Sequence, residues 1–148
     1  MTPPPTALAC LLLRAGLGYF LLVWGLNKFL AAEQSVRLYR YFYGVEIGET
    51  VPFFLGAGET AVAFMVLLGL WRPVAYGLGL LIHGTTVAVI LPRLADPFLI
   101  VDGFPQNRPY AAAVPALAAF AVLFLLRHHD RWSLDHWWAA RGERAPSS

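Results

Sequence analysis

Cysteine and charge are both scarce in this sequence. Its 148 residues include one cysteine, Cys10, so no internal disulfide can form and no oxidising compartment is implied. Charged residues make up 14% of the chain. Typical soluble domains contain about 25%, so these charges are too few to cover a soluble core. The net charge of +2 and the scattered basic residues exclude nucleic acid as a partner.

The motifs of common soluble enzymes are also missing. The sequence contains no Gly-rich phosphate loop, no CxxC pair and no credible Ser-His-Asp set. Any catalysis would therefore take place inside a membrane-spanning bundle or in a partner protein.

Long apolar runs are what the chain has in abundance. Hydrophobic residues make up 58% of it, and four runs pass the length of about 17–25 residues that crosses a bilayer. The runs cover about 7–30, 51–71, 74–91 and 110–126. They predict an all-α integral membrane bundle of four transmembrane helices, one domain over 1–148 with a short tail at 127–148. The first run lacks a basic leader and contains Arg14, so we expect a retained helix and not a signal peptide.

An even number of spans places both termini on one side of the lipid bilayer, and positive charge selects the side. The tail and the second loop carry Arg72, Arg127, Arg131, Arg141 and Arg144, while the other loops carry Arg37, Arg40, Arg93 and Arg108. Because the tail arginines cluster directly beside the membrane, we expect cytoplasmic termini.

The loop at 31–50 contains an aromatic and basic run, Val36 to Tyr43. This composition predicts an interfacial helix on the bilayer surface. The simpler interpretation is an aromatic belt, and the alternative is a lid over a site between the helices.

Ionisable residues inside apolar spans are costly and mark candidate sites. In this sequence they are Arg14, Lys28, Glu59 and His83. At about 100° per residue each shares a helical stripe with small residues, so we expect all the stripes to face the bundle interior.

The depths of these residues predict one polar cluster. At about 1.5 Å per residue, Arg14, His83 and Glu59 lie about 10, 14 and 18 Å into the bilayer. Glu59 then has two candidate cationic partners, Lys28 and Arg14. The cluster either locks the helices together or binds a polar head group, a quinone ring or a proton.

Three histidines lie in the tail, where His129 and His136 are seven residues apart. On a helix they would share one side, and imidazoles with carboxylates suit zinc or copper. We favour the alternative, an amphipathic interfacial helix anchored by its tryptophans, with no metal.

Several segments resemble the DoxX family. Leu13 to Phe20 and Gly25 to Phe29 are similar to its first helix. Gly58-Glu59 followed by Leu67 to Arg72 is similar to its second helix and tight turn. Pro105 to Tyr110 resembles the entry to its last helix, and the likeness covers Leu12 to Leu126.

The resemblance implies a small four-helix protein of the bacterial inner membrane. Relatives include a subunit of a thiosulfate:quinone oxidoreductase, a membrane partner of redox-defence enzymes, and proteins that accompany the synthesis of metal-binding peptides. Arg14, Lys28 and Glu59 match the family's polar pattern, whereas His83 and the tail do not.

Two functional hypotheses follow. The chain is a redox-associated subunit that passes electrons to quinone, or it is a non-enzymatic anchor or assembly factor in metal or oxidative-stress handling. Either hypothesis implies a protein partner or a homo-oligomer, and the sequence does not name the cofactor beyond quinone.

Overall fold

The computed structural model describes residues 4–142, so Arg144 of the predicted tail charges lies outside the described residues. Within this range the regular structure is helical except for one two-stranded hairpin. The elements in chain order are α1 Pro5–Leu30, α2 Ala32–Tyr43, α3 Thr50–Leu68, α4 Arg72–Ala95, β1 Ile100–Val101, β2 Phe104–Pro105, a 3₁₀ turn Arg108–Ala112, α5 Ala113–Leu125, a 3₁₀ turn Arg127–His129 and α6 Leu134–Gly142.

Four helices are long and apolar enough to cross a membrane, as expected of a multi-pass membrane protein. They are Pro5–Leu30, Thr50–Leu68, Arg72–Ala95 and the continuous helical stretch Arg108–Leu125. The prediction of an all-α bundle with four such helices is therefore confirmed.

Three predicted helix boundaries were wrong. The second helix was expected to end at 71, but α3 ends at Leu68. The third helix was expected to end at 91, but α4 continues through Pro92 to Ala95. A proline near a helix end removes only one backbone hydrogen bond, so the last turn can form around it. The fourth helix was expected from 110, but the chain enters it through a 3₁₀ turn and α5 begins at Ala113.

Helices α1 and α3 pack most closely, because glycines line their contact. A β-carbon on Gly25 would lie 2.9 Å from the backbone nitrogen of Thr60, and one on Gly18 would clash with Leu67. A β-carbon on Gly56 would lie 2.9 Å from the carbonyl oxygen of Gly25. Small residues let helix backbones approach without hydrophobic driving force between them. This contact brings the polar side chains of the two helices together.

The predicted tight turn joins α3 to α4. Gly69 ends α3 with a positive φ of 67°, and Trp71 precedes α4 with a φ of 44°. The Asp135 carboxylate accepts hydrogen bonds from the backbone N–H groups of Trp71 and Arg72, both at 2.9 Å. A carboxylate at a helix N-terminus satisfies orphan donors and complements the helix dipole. The C-terminal segment therefore packs against this turn.

The bundle thus has two distinct ends. We call the end that carries α2 and the hairpin the loop end, and the end that carries the α3–α4 turn and residues 126–142 the tail end. The core between them is apolar, with Leu21, Val66 and Phe120 buried at its centre.

Candidate functional site

A cavity of about 770 Å³ lies at the loop end of the bundle. Residues of α1, α2, α3, α4 and the start of α5 line it. Most of the wall is apolar and much of it aromatic, including Phe20, Trp24 and Phe42. Three of the four predicted site residues line this cavity, namely Lys28, Glu59 and His83.

Lys28 and Glu59 form an ion pair between α1 and α3, with the ammonium donating to the Glu59 carboxylate. Their side chains retain 16% and 10% of their exposure. The lysine also donates to the Trp24 carbonyl oxygen at 3.4 Å. Of the two partners left open for Glu59 by the sequence, the structure selects Lys28. The pair is net neutral, which lowers the cost of placing both charges in an apolar wall.

His83 is held on α4 by one hydrogen bond and two aromatic contacts. Its Nε2 lies 2.9 Å from the carbonyl oxygen of Ala113. A carbonyl oxygen only accepts, so Nε2 carries the proton and the neutral ring keeps Nδ1 as an acceptor. Phe20 meets the imidazole edge to face at 5.2 Å, and Phe120 lies 5.6 Å away. The ring is thus oriented, with one nitrogen left for other chemistry.

Helix α2 covers the cavity. The predicted helix at 36–43 is confirmed, and it extends from Ala32 to Tyr43. Tyr39, Phe42 and Tyr43 line the cavity, while Arg37 and Arg40 are exposed. Of the two interpretations of this segment, these contacts favour the lid. Burial, aided by Tyr43 and Glu59, raises the pKa of Tyr39, which keeps its phenol neutral and able to donate.

Arg93, near the end of α4, ties the lid to the bundle. Its guanidinium carbon lies 4.5 Å from the Phe42 ring centroid and 4.8 Å from that of Tyr41. It also lies 5.8 Å from the Tyr110 ring at the entry to α5. Cations over aromatic faces attract by about 0.5–1 kcal/mol at exposed sites. Arg93 thereby links α4, the lid helix α2 and the entry to α5.

Arg14 does not join the other three site residues. It lies at the tail end, where its Nη1 is 3.3 Å from the Asp130 carboxylate and its Nη2 donates to the Trp132 carbonyl oxygen at 3.0 Å. Tyr76 donates to the same carboxylate at 2.5 Å. The predicted cluster of Arg14 with Glu59 and His83 is therefore wrong. The counter-ion of Arg14 is Asp130 of the tail, a segment that the sequence had been expected to place outside the bundle.

The tail is not the single amphipathic helix expected over 127–138. A 3₁₀ turn at Arg127–His129 is followed by the irregular residues Asp130–Ser133, and α6 begins only at Leu134. Helical structure is interrupted at 130–133, where Asp130 and Ser133 are buried. The Ser133 hydroxyl donates to the Asp130 carbonyl oxygen at 2.9 Å. In the described part of the chain, no group of three or more His, Cys, Asp or Glu residues could hold a metal ion.

Sequence reasoning missed several residues that shape these two regions. Tyr76 is buried on α4, and its bond to Asp130 was not foreseen. Asp130 itself carries no local signal, because a charged residue after a span resembles an ordinary solvated tail. Arg93 was counted only as a loop charge. The aromatic composition of the neighbouring segments was the one signal that could have indicated its contacts.

Comparison of this chain with family models, with curated proteins and with solved structures finds no match. The resemblance to the DoxX family therefore stays a prediction from the motifs at 13–29, 58–72 and 105–110.

Proposed function

We propose that the chain is a DoxX-like, multi-pass protein of a bacterial inner membrane that binds a quinone in the loop-end cavity. In this proposal it serves as the membrane subunit of an oxidoreductase, and a partner protein supplies the electrons. The observation that carries the proposal is the apolar cavity that Lys28, Glu59 and His83 line from three helices.

The size and lining of the cavity support a small-molecule site. Ligand pockets usually enclose about 300–1,000 Å³ and combine apolar walls with a few convergent polar groups. The volume of about 770 Å³ lies within that range. Ionisable residues inside apolar spans are costly and commonly serve function. In this proposal the Lys28–Glu59 pair contacts the bound ligand, in addition to joining two helices.

The wall residues match the needs of quinone chemistry. A bound quinone accepts two electrons, here from the partner, and two protons to become a quinol. Lys28 can donate a hydrogen bond to a ring oxygen, and Glu59 can hold and transfer a proton. His83 keeps Nε2 on Ala113, so its Nδ1 can accept a hydrogen bond when neutral or donate one when protonated.

The test measures quinone binding and quinone-dependent turnover in membranes. Glu59→Gln and His83→Ala are expected to lower both by about tenfold or more, equivalent to about 1.4 kcal/mol, while the protein still accumulates. Arg37→Gln is the matched control, because Arg37 is exposed and pairs only with Glu33 on the outer side of α2. If both cavity variants retain full binding and turnover, the proposal is wrong.

The orientation belongs to the same proposal. We place the tail end in the cytoplasm, because Arg72, Arg127 and Arg131 cluster there and positive residues favour that side. Cys10 is buried, so cysteines introduced at Asp102 and Arg131 can be labelled against a low background. A membrane-impermeant maleimide should label Asp102→Cys on intact cells and Arg131→Cys only after permeabilisation. The reverse pattern would invert the topology.

A second candidate function, an anchor or assembly factor, has one supporting observation. Trp137 and Trp138 of α6 are both about half exposed. Large exposed aromatic side chains can hold a partner or an interface. Cutting the chain after Leu126 would leave buried Arg14 unpaired, so the sharper test is Trp137→Ser with Trp138→Ser. Loss of the co-purifying partner with unchanged quinone turnover would favour this function.

A further inference from the structure

Some cavity residues are exposed on the outer surface of the bundle, which means that the cavity opens sideways. On α3, Phe54 and Leu55 keep 69% and 39% of their exposure, and Gly58 is also exposed. On α4, Thr85 and Thr86 are exposed. All five residues line the cavity.

The position of Gly58 on α3 shows which way the opening faces. Gly56 packs against Gly25 and Lys28 of α1. At about 100° per residue, Gly58 lies about 200° further around the helix, on the side away from α1. A β-carbon on Gly58 would meet no atom within 4 Å. The cavity therefore has free space on the flank of α3 that faces away from α1.

On α4, too, an exposed lining residue lies on the side away from the neighbouring helix. Gly84 packs near Leu117 of α5, and Gly77 packs near Phe124 of α5. Thr86 lies about 200° around the helix from Gly84, on the side away from α5. Gly58 and Thr86 both line the cavity at the loop end, and α3 and α4 are joined by a tight turn at the tail end. We therefore infer that the opening lies between α3 and α4.

On the α1 side of the cavity, Phe20 and Trp24 pack edge to face with their ring centroids 6.4 Å apart, and both line the cavity. Trp24 keeps 46% of its exposure, so this side also reaches the outer surface. A glycine leaves more room for a passing chain than two aromatic rings do, which favours the α3–α4 side.

The lining also restricts the chemistry of the ligand. Lys28 and Glu59 are the charged residues of the lining, and their charges cancel. An anionic or cationic head group would meet no unpaired opposite charge there and would lose its hydration. The outer part of the passage is apolar at Phe54 and Leu55, and the Thr85 and Thr86 hydroxyls already donate to the Ile82 carbonyl oxygen. An uncharged head that forms hydrogen bonds, joined to a hydrocarbon chain, fits both parts.

We propose that the cavity takes a lipid with an uncharged ring or head group and one hydrocarbon chain, entering sideways between α3 and α4 past Gly58. The head lies against Lys28, Glu59 and His83, and the chain leaves through the opening beside Phe54. This inference rests on the proposed function, because it specifies the class of quinone that the site accepts and its route of entry.

The experiment compares two probes in nanodiscs. One is a dimethoxy-methyl-benzoquinone that carries a decyl chain, and the other is the same ring without the chain. Binding is followed as quenching of Trp24 fluorescence, taken as the difference between each protein and its Trp24→Phe counterpart. Gly58→Phe fills the opening, and Gly16→Phe is the control, since a β-carbon on Gly16 also meets no atom within 4 Å and Gly16 does not line the cavity.

We expect Gly58→Phe to raise the Kd of the chain-bearing quinone by about tenfold or more and that of the bare ring by less than about twofold. Gly16→Phe should change neither. If Gly58→Phe leaves both affinities unchanged, or weakens both equally, sideways entry is wrong while the proposed function stands. If neither probe quenches Trp24 in the unsubstituted protein, the proposed function itself fails and this inference with it.

Discussion

The two ends of the bundle each contain an ion pair between distant parts of the chain, but the pairs have different surroundings. At the loop end, Lys28 and Glu59 lie in the wall of an open cavity and keep some exposure. At the tail end, Asp130 has no exposed surface, and Arg14 and Tyr76 both bond to its carboxylate.

The difference shows how a buried ion pair can have two roles in one small bundle. The tail-end pair is surrounded by protein, and its further partners are the Trp132 carbonyl oxygen and the Tyr76 hydroxyl, so it holds the tail against the helix ends. The loop-end pair has fewer protein partners and faces empty space, so its charges can interact with a ligand. We expect the tail end to dominate stability and the loop end to dominate binding.

The strongest test of this comparison is Asp130→Ala. It leaves the buried Arg14 guanidinium without its carboxylate, and breaking a buried pair from one side costs about 3–5 kcal/mol. We expect the free energy of unfolding, measured by denaturant titration in detergent micelles, to fall by that amount. Glu33→Ala is the control, because its pair with Arg37 is mostly exposed.

A double variant identifies the cause of that loss. Arg14→Met combined with Asp130→Asn removes both charges, so it should recover most of the stability lost in Asp130→Ala. An equal loss in the double variant would mean that packing, and not charge, holds the tail.

Tyr76→Phe removes only the hydroxyl that donates to Asp130 at 2.5 Å. A hydrogen bond to a charged group contributes about 1.5–3 kcal/mol, so the same titration should show a loss in that range. Tyr19→Phe on the exposed face of α1 should have no measurable effect. A loss no larger than that of Tyr19→Phe would show that Asp130 relies on Arg14 alone.

Glu59→Gln should affect stability less and binding more. Glutamine keeps the shape of the side chain and an oxygen that can accept from Lys28, so we expect a loss of about 1 kcal/mol in unfolding free energy. Binding of the decyl quinone should fall as described above. Destabilisation as large as that of Asp130→Ala would remove the contrast between the two ends.

Arg93→Gln should have the smallest global effect. It removes a cation from the faces of Phe42 and Tyr41, worth about 0.5–1 kcal/mol. The expected result is faster amide hydrogen exchange across α2 with unchanged exchange in α1 and α3. Arg37→Gln, on the exposed side of the same helix, should leave α2 exchange unchanged. Equal acceleration in both variants would mean that Arg93 does not hold the lid.

Much of the fold could be predicted from the sequence, because helix formation and burial depend on local patterns. The four apolar runs correspond to four long helices. The stripes that contain Arg14, Glu59 and His83 are buried as expected, since a side chain's direction follows from the 3.6-residue period. The boundaries near Pro92 and at the start of α5 were less predictable, because prolines near helix ends are tolerated.

The candidate site could be predicted only in part. The sequence identified Lys28, Glu59 and His83 individually, and the structure places them around one cavity. The sequence offered the lid only as an alternative to an aromatic belt, and its signal for the Arg93 contacts was limited to the aromatic composition of the neighbouring segments. The side opening at Gly58 had no signal, because it depends on where separate helices diverge.

The sequence by itself determined the helical class, the apolar spans and the inward direction of the polar stripes, since these follow from composition and periodicity within each segment. Only the tertiary structure decided which cation meets which carboxylate. Arg14 pairs with Asp130, 116 residues away, and Lys28 pairs with Glu59. The physical reason is that ion pairing depends on distances across the packed bundle, and these are set by the close approach of α1 and α3 and by the return of the tail.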